Sequence, residues 1–253
     1  MVKKIIVGNW KMNPPTLKEA EKLFADIAKN ILNSKKTDVV MCVPDIYLTK
    51  LKGFSKKIFL GAQDVFWEDR GAFTGEISPE MLYSIGARYV ILGHSERRAM
   101  GETNEIVNKK VKASLGAGLV PVLCVGETMR DLEHNYFNLV KTQLSECLAG
   151  ITKNLITKVI VAYEPVWAIS TTPLRKDATA ADSLEMYIFI RKILSDKFGP
   201  ESSKVKIVYG GSVNEKDAEG FLKDGGVDGL LVGKASLDVK KFLEIINITE
   251  KCS

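Results

Sequence analysis

Apolar residues in this chain gather in short blocks, and the longer stretches between blocks repeat them every three or four positions. Strand-like blocks begin near Ile5, Val39, Ile58, Tyr89, Val120, Lys158, Val205 and Gly229. A continuous apolar run of this length suits a parallel strand covered on both faces. Between blocks the period lengthens. Leu17, Ala20, Leu23, Phe24, Ile27, Ala28, Ile31 and Leu32 fall at helical spacing and predict a helix over Leu17 to Leu32 that covers a sheet on one side. Leu184, Tyr187, Ile188, Ile190 and Leu194 predict the same for Asp182 to Phe198. Asn214 is placed to cap a shorter helix over Glu215 to Lys223, which Gly225-Gly226 would end.

The eight blocks recur about every 32 residues between Ile5 and Gly229, close to the length of a strand, helix, strand unit. No sequence repeat accompanies this period, and no long Pro, Ser or charge-rich linker interrupts it, so residues 1–253 read as a single domain. A doubly wound open sheet would normally carry a Gly-rich phosphate loop after its first strand. Here Gly8 is followed by Asn9-Trp10-Lys11. The pattern therefore predicts an α/β protein built as one closed (β/α)8 barrel.

Composition removes several alternatives. With 253 residues, 45% hydrophobic and 26% charged, the chain is long enough for a large core. Its longest uninterrupted apolar run, Leu119 to Val125, is far shorter than the roughly 18 residues that suggest a membrane span. Lys3-Lys4 precedes only Ile5-Ile6-Val7, too short for a secretory signal, so a cytoplasmic protein with no membrane partner is expected. Cys42, Cys124, Cys147 and Cys252 are too scattered for a metal or redox motif, and Cys42 and Cys124 read as small core hydrophobes. The 36 Lys and Arg against 31 Asp and Glu give a net charge of +5 without basic blocks. Nucleic-acid binding is not indicated, while a modest positive field would favour an anionic small substrate.

Chemistry concentrates at the strand ends. Lys158 to Tyr163 runs apolar and breaks at Glu164-Pro165, because Pro165 has no N–H to donate and biases Glu164 toward extended geometry. Glu164 then stands where a barrel presents its general base. Asn9 and Lys11, two residues apart, face the same side of an extended chain. His94 leaves an apolar run for a polar, helix-compatible turn, Gly93-His94-Ser95-Glu96-Arg97-Arg98, whose helix start disfavours positive charge on the ring. His134, on a polar stretch with no companions, reads as a surface side chain. Tyr209-Gly210-Gly211-Ser212-Val213 and Leu231-Val232-Gly233-Lys234-Ala235-Ser236 put small residues just before helix starts, where a backbone can approach an anion.

Five segments taken in order, Asn9-Trp10-Lys11-Met12-Asn13, Gly71-Ala72-Phe73-Thr74-Gly75-Glu76, Gly93 to Arg98, Ala162-Tyr163-Glu164-Pro165-Val166-Trp167-Ala168 and Tyr209 to Val213, closely resemble the triosephosphate isomerase family. The resemblance covers essentially the whole chain. It implies a TIM barrel that interconverts dihydroxyacetone phosphate and D-glyceraldehyde 3-phosphate without a cofactor or metal. By the same resemblance, Glu164 is the base, His94 the neutral electrophile, and Lys11 and Asn9 stabilise the enediolate. Glu96 helps to order the site. The phosphate would be held by Gly211, Ser212, Gly233 and Lys234, and by Ser170 and Thr171 in a loop that closes over it. Thr74 would sit at the tip of a long aromatic loop, Gln63 to Ser78, that enters a pocket beside the active site of a homodimer partner.

Two places depart from the family pattern. Ser170-Thr171-Thr172, followed by Pro173 to Asp177, stands where most relatives have Gly-Thr-Gly, and the loop is a few residues longer. Ser and Thr keep the backbone N–H but adopt positive φ much less readily than Gly. Lys234 replaces a second glycine after the eighth strand, adding a cation near the phosphate or simply preserving the N–H. The alternative reading is a catalytically weakened phosphosugar-binding barrel with an altered closing loop.

Overall fold

The computed structural model describes residues 3–31, 36–169 and 176–253. Its strands are β1 (Lys4–Asn9), β2 (Thr37–Cys42), β3 (Ile58–Ala62), β4 (Tyr89–Leu92), β5 (Val120–Val125), β6 (Ile160–Tyr163), β7 (Lys206–Tyr209) and β8 (Gly229–Val232). All pair in parallel and in chain order, and β8 returns to β1 through Ile5 opposite Gly229, closing the barrel. Every strand starts within two residues of its predicted position. The helices among the described residues are α1 (Leu17–Asn30), α2 (Asp45–Leu51), α3 (Pro79–Ser84), α4 (Ser95–Ala99), α5 (Asn104–Gly116), α6 (Asn135–Cys147), α7 (Lys153–Ile156), α8 (Ala180–Phe198), α9 (Ala218–Lys223) and α10 (Val239–Lys251).

Strand parity explains where the side chains go. Ile5, Val7, Val40, Cys42, Ile91, Val122, Cys124, Ile160, Ala162, Val208 and Leu231 fill the barrel interior, while their neighbours Ile6, Val39, Met41, Leu123 and Val161 pack outward under the helices. Each fully buried aliphatic side chain contributes roughly 1.5–3 kcal/mol. The inward series 5, 7 on β1 continues to Asn9, and 160, 162 on β6 continues to Glu164. One two-residue period thus fills the core and delivers polar groups to the same mouth.

The helices follow the expected pattern with two corrections. In α1, Thr16 accepts the Glu19 amide as a cap, and Ala20, Phe24 and Ile27 are buried against the barrel. The predicted Leu32 lies outside the described residues. In α8 the buried stripe is Ser183, Met186, Ile190, Leu194 and Phe198, whereas Leu184 and Ile188 are exposed. Leucine and isoleucine occur on both sides of this helix, so periodicity alone selected a face rotated from the real one. Asn214 does not cap an α-helix. Its side chain accepts the Lys216 amide in a preceding turn and donates to Asp217, and α9 begins only at Ala218. That helix ends near Gly226, whose φ of +70 glycine adopts without strain.

Candidate active site

The C-terminal ends of the strands surround a cavity of about 340 Å³. Asn9, Lys11, His94, Glu164, Gly211, Ser212, Gly233 and Lys234 all line it. Eight predicted site residues from five strand ends therefore meet at one mouth. Glu96 stands just behind, bound to Lys11. Thr74 is exposed in the segment between β3 and α3, away from this cavity. Ser170 and Thr171 lie outside the described residues.

Glu164 is almost entirely buried, at 2% exposure. Its amide extends the ladder to Val125 at 2.8 Å, and the Val166 amide reaches the Glu127 carbonyl at 2.9 Å, so Pro165 sits where no strand hydrogen bond is needed. Glu164 Oε2 accepts the Ser95 amide at 3.0 Å. Its Oε1 accepts no hydrogen bond and lies 3.2 Å from His94 Nε2. Two glycines make room for this side chain. A Cβ on Gly210 would lie 3.0 Å from Glu164 Cγ, and one on Gly126 would overlap the Glu164 carbonyl.

Gly93 adopts φ +68, and that turn breaks the strand parity so that His94 enters the mouth at the start of α4. His94 Nδ1 accepts the Glu96 amide at 3.2 Å. Acceptance at Nδ1 assigns the ring proton to Nε2, the nitrogen that faces Glu164. Lys11 has φ +52, uncommon for a residue with a side chain. This geometry is fixed from both sides of the peptide: Asn9 Oδ1 accepts the Lys11 amide at 2.9 Å, and Gln63 donates to the Lys11 carbonyl at 2.9 Å. The Lys11 ammonium then reaches Glu96 Oε1 at 2.6 Å. Asn9 thus shapes the loop as well as lining the cavity.

A family model for triosephosphate isomerase matches residues 4–249. The triosephosphate isomerase of Caldanaerobacter subterraneus subsp. tengcongensis is 44% identical over 252 residues, covering 98% of this chain and 100% of the relative. That of Dehalococcoides mccartyi is 46% identical over 246 residues, 95% of each chain. This chain belongs to the triosephosphate isomerase family. A crystal structure of the Bartonella henselae member superposes with a TM-score of 0.84 at 37% identity, covering 98% of this chain and 99% of that one. The closed parallel barrel is accordingly the family fold.

Sequence reasoning overlooked a second layer behind the cavity. Glu127, fully buried just past β5, accepts from Tyr163 at 2.8 Å and from the Trp167 indole at 2.7 Å. Arg130 approaches the same carboxylate at 3.2 Å and also binds Asp182 at 2.8 Å and Glu185 at 2.9 Å. Asp182 in turn forms a reciprocal capping box with Thr179. One guanidinium therefore ties the segment leaving Glu164 to the start of α8. The signal in the sequence was weak, a Glu after the β5 run with an Arg three residues later, because their partners lie tens of residues away. Nearer the mouth, burial and the Glu164 charge push the Cys124 thiol well up, so it stays protonated as a packing group. Cys42 is likewise buried and its thiol pushed up by burial.

A further buried network was also missed. Lys110, only 4% exposed, donates to Asp64 at 2.7 and 2.8 Å and to Glu102, while Arg97 holds Asp64 at 2.7 Å. His134 is exposed and pairs with Tyr136, as a surface residue should. Among the described residues no group of three or more His, Cys, Asp or Glu side chains is arranged to hold a metal ion, and no helix is long and apolar enough to cross a membrane.

Proposed function

We propose that this chain catalyses the cofactor-free interconversion of dihydroxyacetone phosphate and D-glyceraldehyde 3-phosphate, with residues 1–253 working as one catalytic domain in the cytoplasm. The observation that carries this reading is the buried Glu164, with one oxygen bonded to the Ser95 amide and the other open beside His94 Nε2. Such a carboxylate is held in place yet retains a lone pair for a proton. Glu164 removes a proton from the carbon next to the substrate carbonyl and returns it to the neighbouring carbon. His94 donates its Nε2 proton to the developing oxyanion and recovers one from the adjacent hydroxyl, so the ring ends the cycle unchanged. Lys11 and Asn9 stabilise the enediolate, and Glu96 orders Lys11 through their contact. Family resemblance assigns the phosphate to the backbone around Gly211, Ser212, Gly233 and Lys234, with Ser170 and Thr171 contributing from the closing loop.

A homodimer completes the proposal. Met12, Ile46, Phe73, Met81, Tyr83 and Met100 are all exposed large apolar side chains, concentrated in the segments after β1 to β4. Such exposure at the side of the barrel that carries Thr74 supports burial against a second copy.

The altered segment at Ser170 to Thr172 favours one competing reading, a barrel that binds a phosphosugar but turns it over poorly. Steady-state isomerisation of glyceraldehyde 3-phosphate separates the two. A kcat/KM approaching the diffusion ceiling of about 10⁸ M⁻¹s⁻¹, lost in Glu164→Gln, is the expected result. Phosphate binding with negligible turnover in the natural chain would overturn the isomerase reading.

A further inference from the structure

The cavity wall opposite His94 carries cations that the isomerisation steps leave unused. Lys234 begins the 3-10 turn Lys234–Leu237 after β8, is exposed, lines the cavity, and forms no hydrogen bond or ion pair among the described residues. Lys241, in the first turn of α10, lines the same wall. Its ammonium lies 3.8 Å from Glu215 Oε1, too far for a hydrogen bond, and its side chain is 50% exposed. Lys11 is different, because its ammonium is already committed to Glu96. The rim also carries Asp238, whose Oδ1 accepts the Lys241 amide as the cap of α10.

We propose that Lys234 and Lys241 form a second anion position beside the phosphate end of the cavity, which takes ligands carrying a further phosphate beyond the first. The inference rests on the isomerase reading, which supplies the first anion. A phosphate held between the turns after β7 and β8 presents its far side to these two lysines. A second anionic group attached there gains the Lys234 ammonium, which gives up no partner among the described residues, and the Lys241 ammonium, which exchanges a 3.8 Å ion pair with Glu215 for it. At separations of ~7 Å in a water-like dielectric, each added charge pair contributes roughly threefold in affinity, so two cations give about tenfold at low salt. Asp238 stays on its helix as the cap of α10, and the half-exposed Lys241 stem is long enough to turn from its 3.8 Å contact with Glu215 toward a dianion. Compact bisphosphates therefore compete with the triose phosphate, and do so more strongly than inorganic phosphate.

Calorimetric titration of the full chain with inorganic phosphate and inorganic pyrophosphate at pH 8 and low ionic strength tests the assignment, with isomerase activity assayed on the same preparation. Pyrophosphate is expected to bind about tenfold tighter than phosphate, a ratio that shrinks as salt is added. Lys234→Gln lowers the ratio to about threefold, and combining it with Lys241→Gln brings it near unity. Lys240→Gln removes one charge from α10 outside the cavity lining and leaves the ratio intact, which separates a local site from net charge. Equal affinities for the two anions in the natural protein, binding of neither, or an undiminished ratio in the double variant would overturn the second position. Absence of isomerase activity would instead overturn the reading on which it rests.

Discussion

His94 Nε2 and Glu164 Oε1 stand 3.2 Å apart across the barrel mouth, and neither atom is tied to another partner among the described residues. The other oxygen of Glu164 is anchored on the Ser95 amide, and the other nitrogen of His94 on the Glu96 amide. Each of these two side chains is therefore fixed by one heteroatom and presents the second to the cavity. Glu164→Asp shortens the side chain by one methylene and withdraws the carboxylate from the reacting carbon. A displacement of about 1 Å lowers kcat by about 10²-fold. Steady-state kinetics should show most of that loss in kcat and little in KM, while a loss confined to KM would contradict the role of Glu164 as base.

Asp45 opens α2 with Oδ1 buried and without a hydrogen-bond partner. Burial, reinforced by Asp64 and opposed by Arg97, pushes its carboxyl up to about 6 from 3.8. Across this window the unfolded chain releases the proton while the native protein keeps it, so rising pH progressively costs native stability, and the full cost is present above about pH 6. Asp45→Asn should raise stability by about 1–3 kcal/mol at pH 8 and scarcely at pH 4. Chemical denaturation at both values checks it. An equal gain at both would point to packing, with no contribution from charge.

Much of this architecture was legible in the chain. Short blocks covered on both sides forced parallel strands, their spacing forced intervening helices, and Pro165 marked where Glu164 leaves its strand. The polar groups at positions 9 and 164 could be placed because parity carries each strand's inward series directly to the mouth. Glu127 could not, since its burial depends on Tyr163 and Trp167 arriving from another unit and on Arg130 offsetting its charge. The exposed face of α8 was misread for a related reason: the eight-stranded wall covers only part of each helix, and leucine is tolerated on the remainder. Asn214 failed as a helix cap because its carboxamide is used by the nearer turn and by Asp217.

Lys110 and Glu102 are each 4% exposed, with Asp64 closing the group. Lys110→Met keeps the stem but leaves the buried Glu102 carboxylate with only a 3.7 Å approach from Arg97, which is already held by Asp64. A destabilisation of about 3–5 kcal/mol is expected in urea unfolding. Combining it with Glu102→Gln should recover part of the loss, and simple additivity of the two changes would show that the pair is not coupled.

Thr74 is exposed beside Phe73, whose ring packs 4.6 Å from Phe66. Thr74→Arg places a hydrated cation at the tip expected to enter the partner. Sedimentation equilibrium should then report a monomer at concentrations where the natural chain is expected to be a dimer, with activity reduced because the apolar side chains after β1 to β4 lose the cover proposed for them. A variant that remains dimeric would remove Thr74 from the interface.

The strand that carries Asn9 and the turn that carries Lys234 are hydrogen-bonded neighbours although more than two hundred residues separate them: β1 pairs with β8, and Ser236 Oγ reaches the Asn9 carbonyl at 3.4 Å. The seam where the barrel closes is thus also part of the cavity wall. During synthesis on a ribosome the earlier strands can collapse and their helices can dock, but the wall stays open until β8 emerges and bonds to β1. Catalytic competence therefore reports that the barrel has closed, and a chain arrested before β8 holds Glu164 and His94 without the wall that β8 completes.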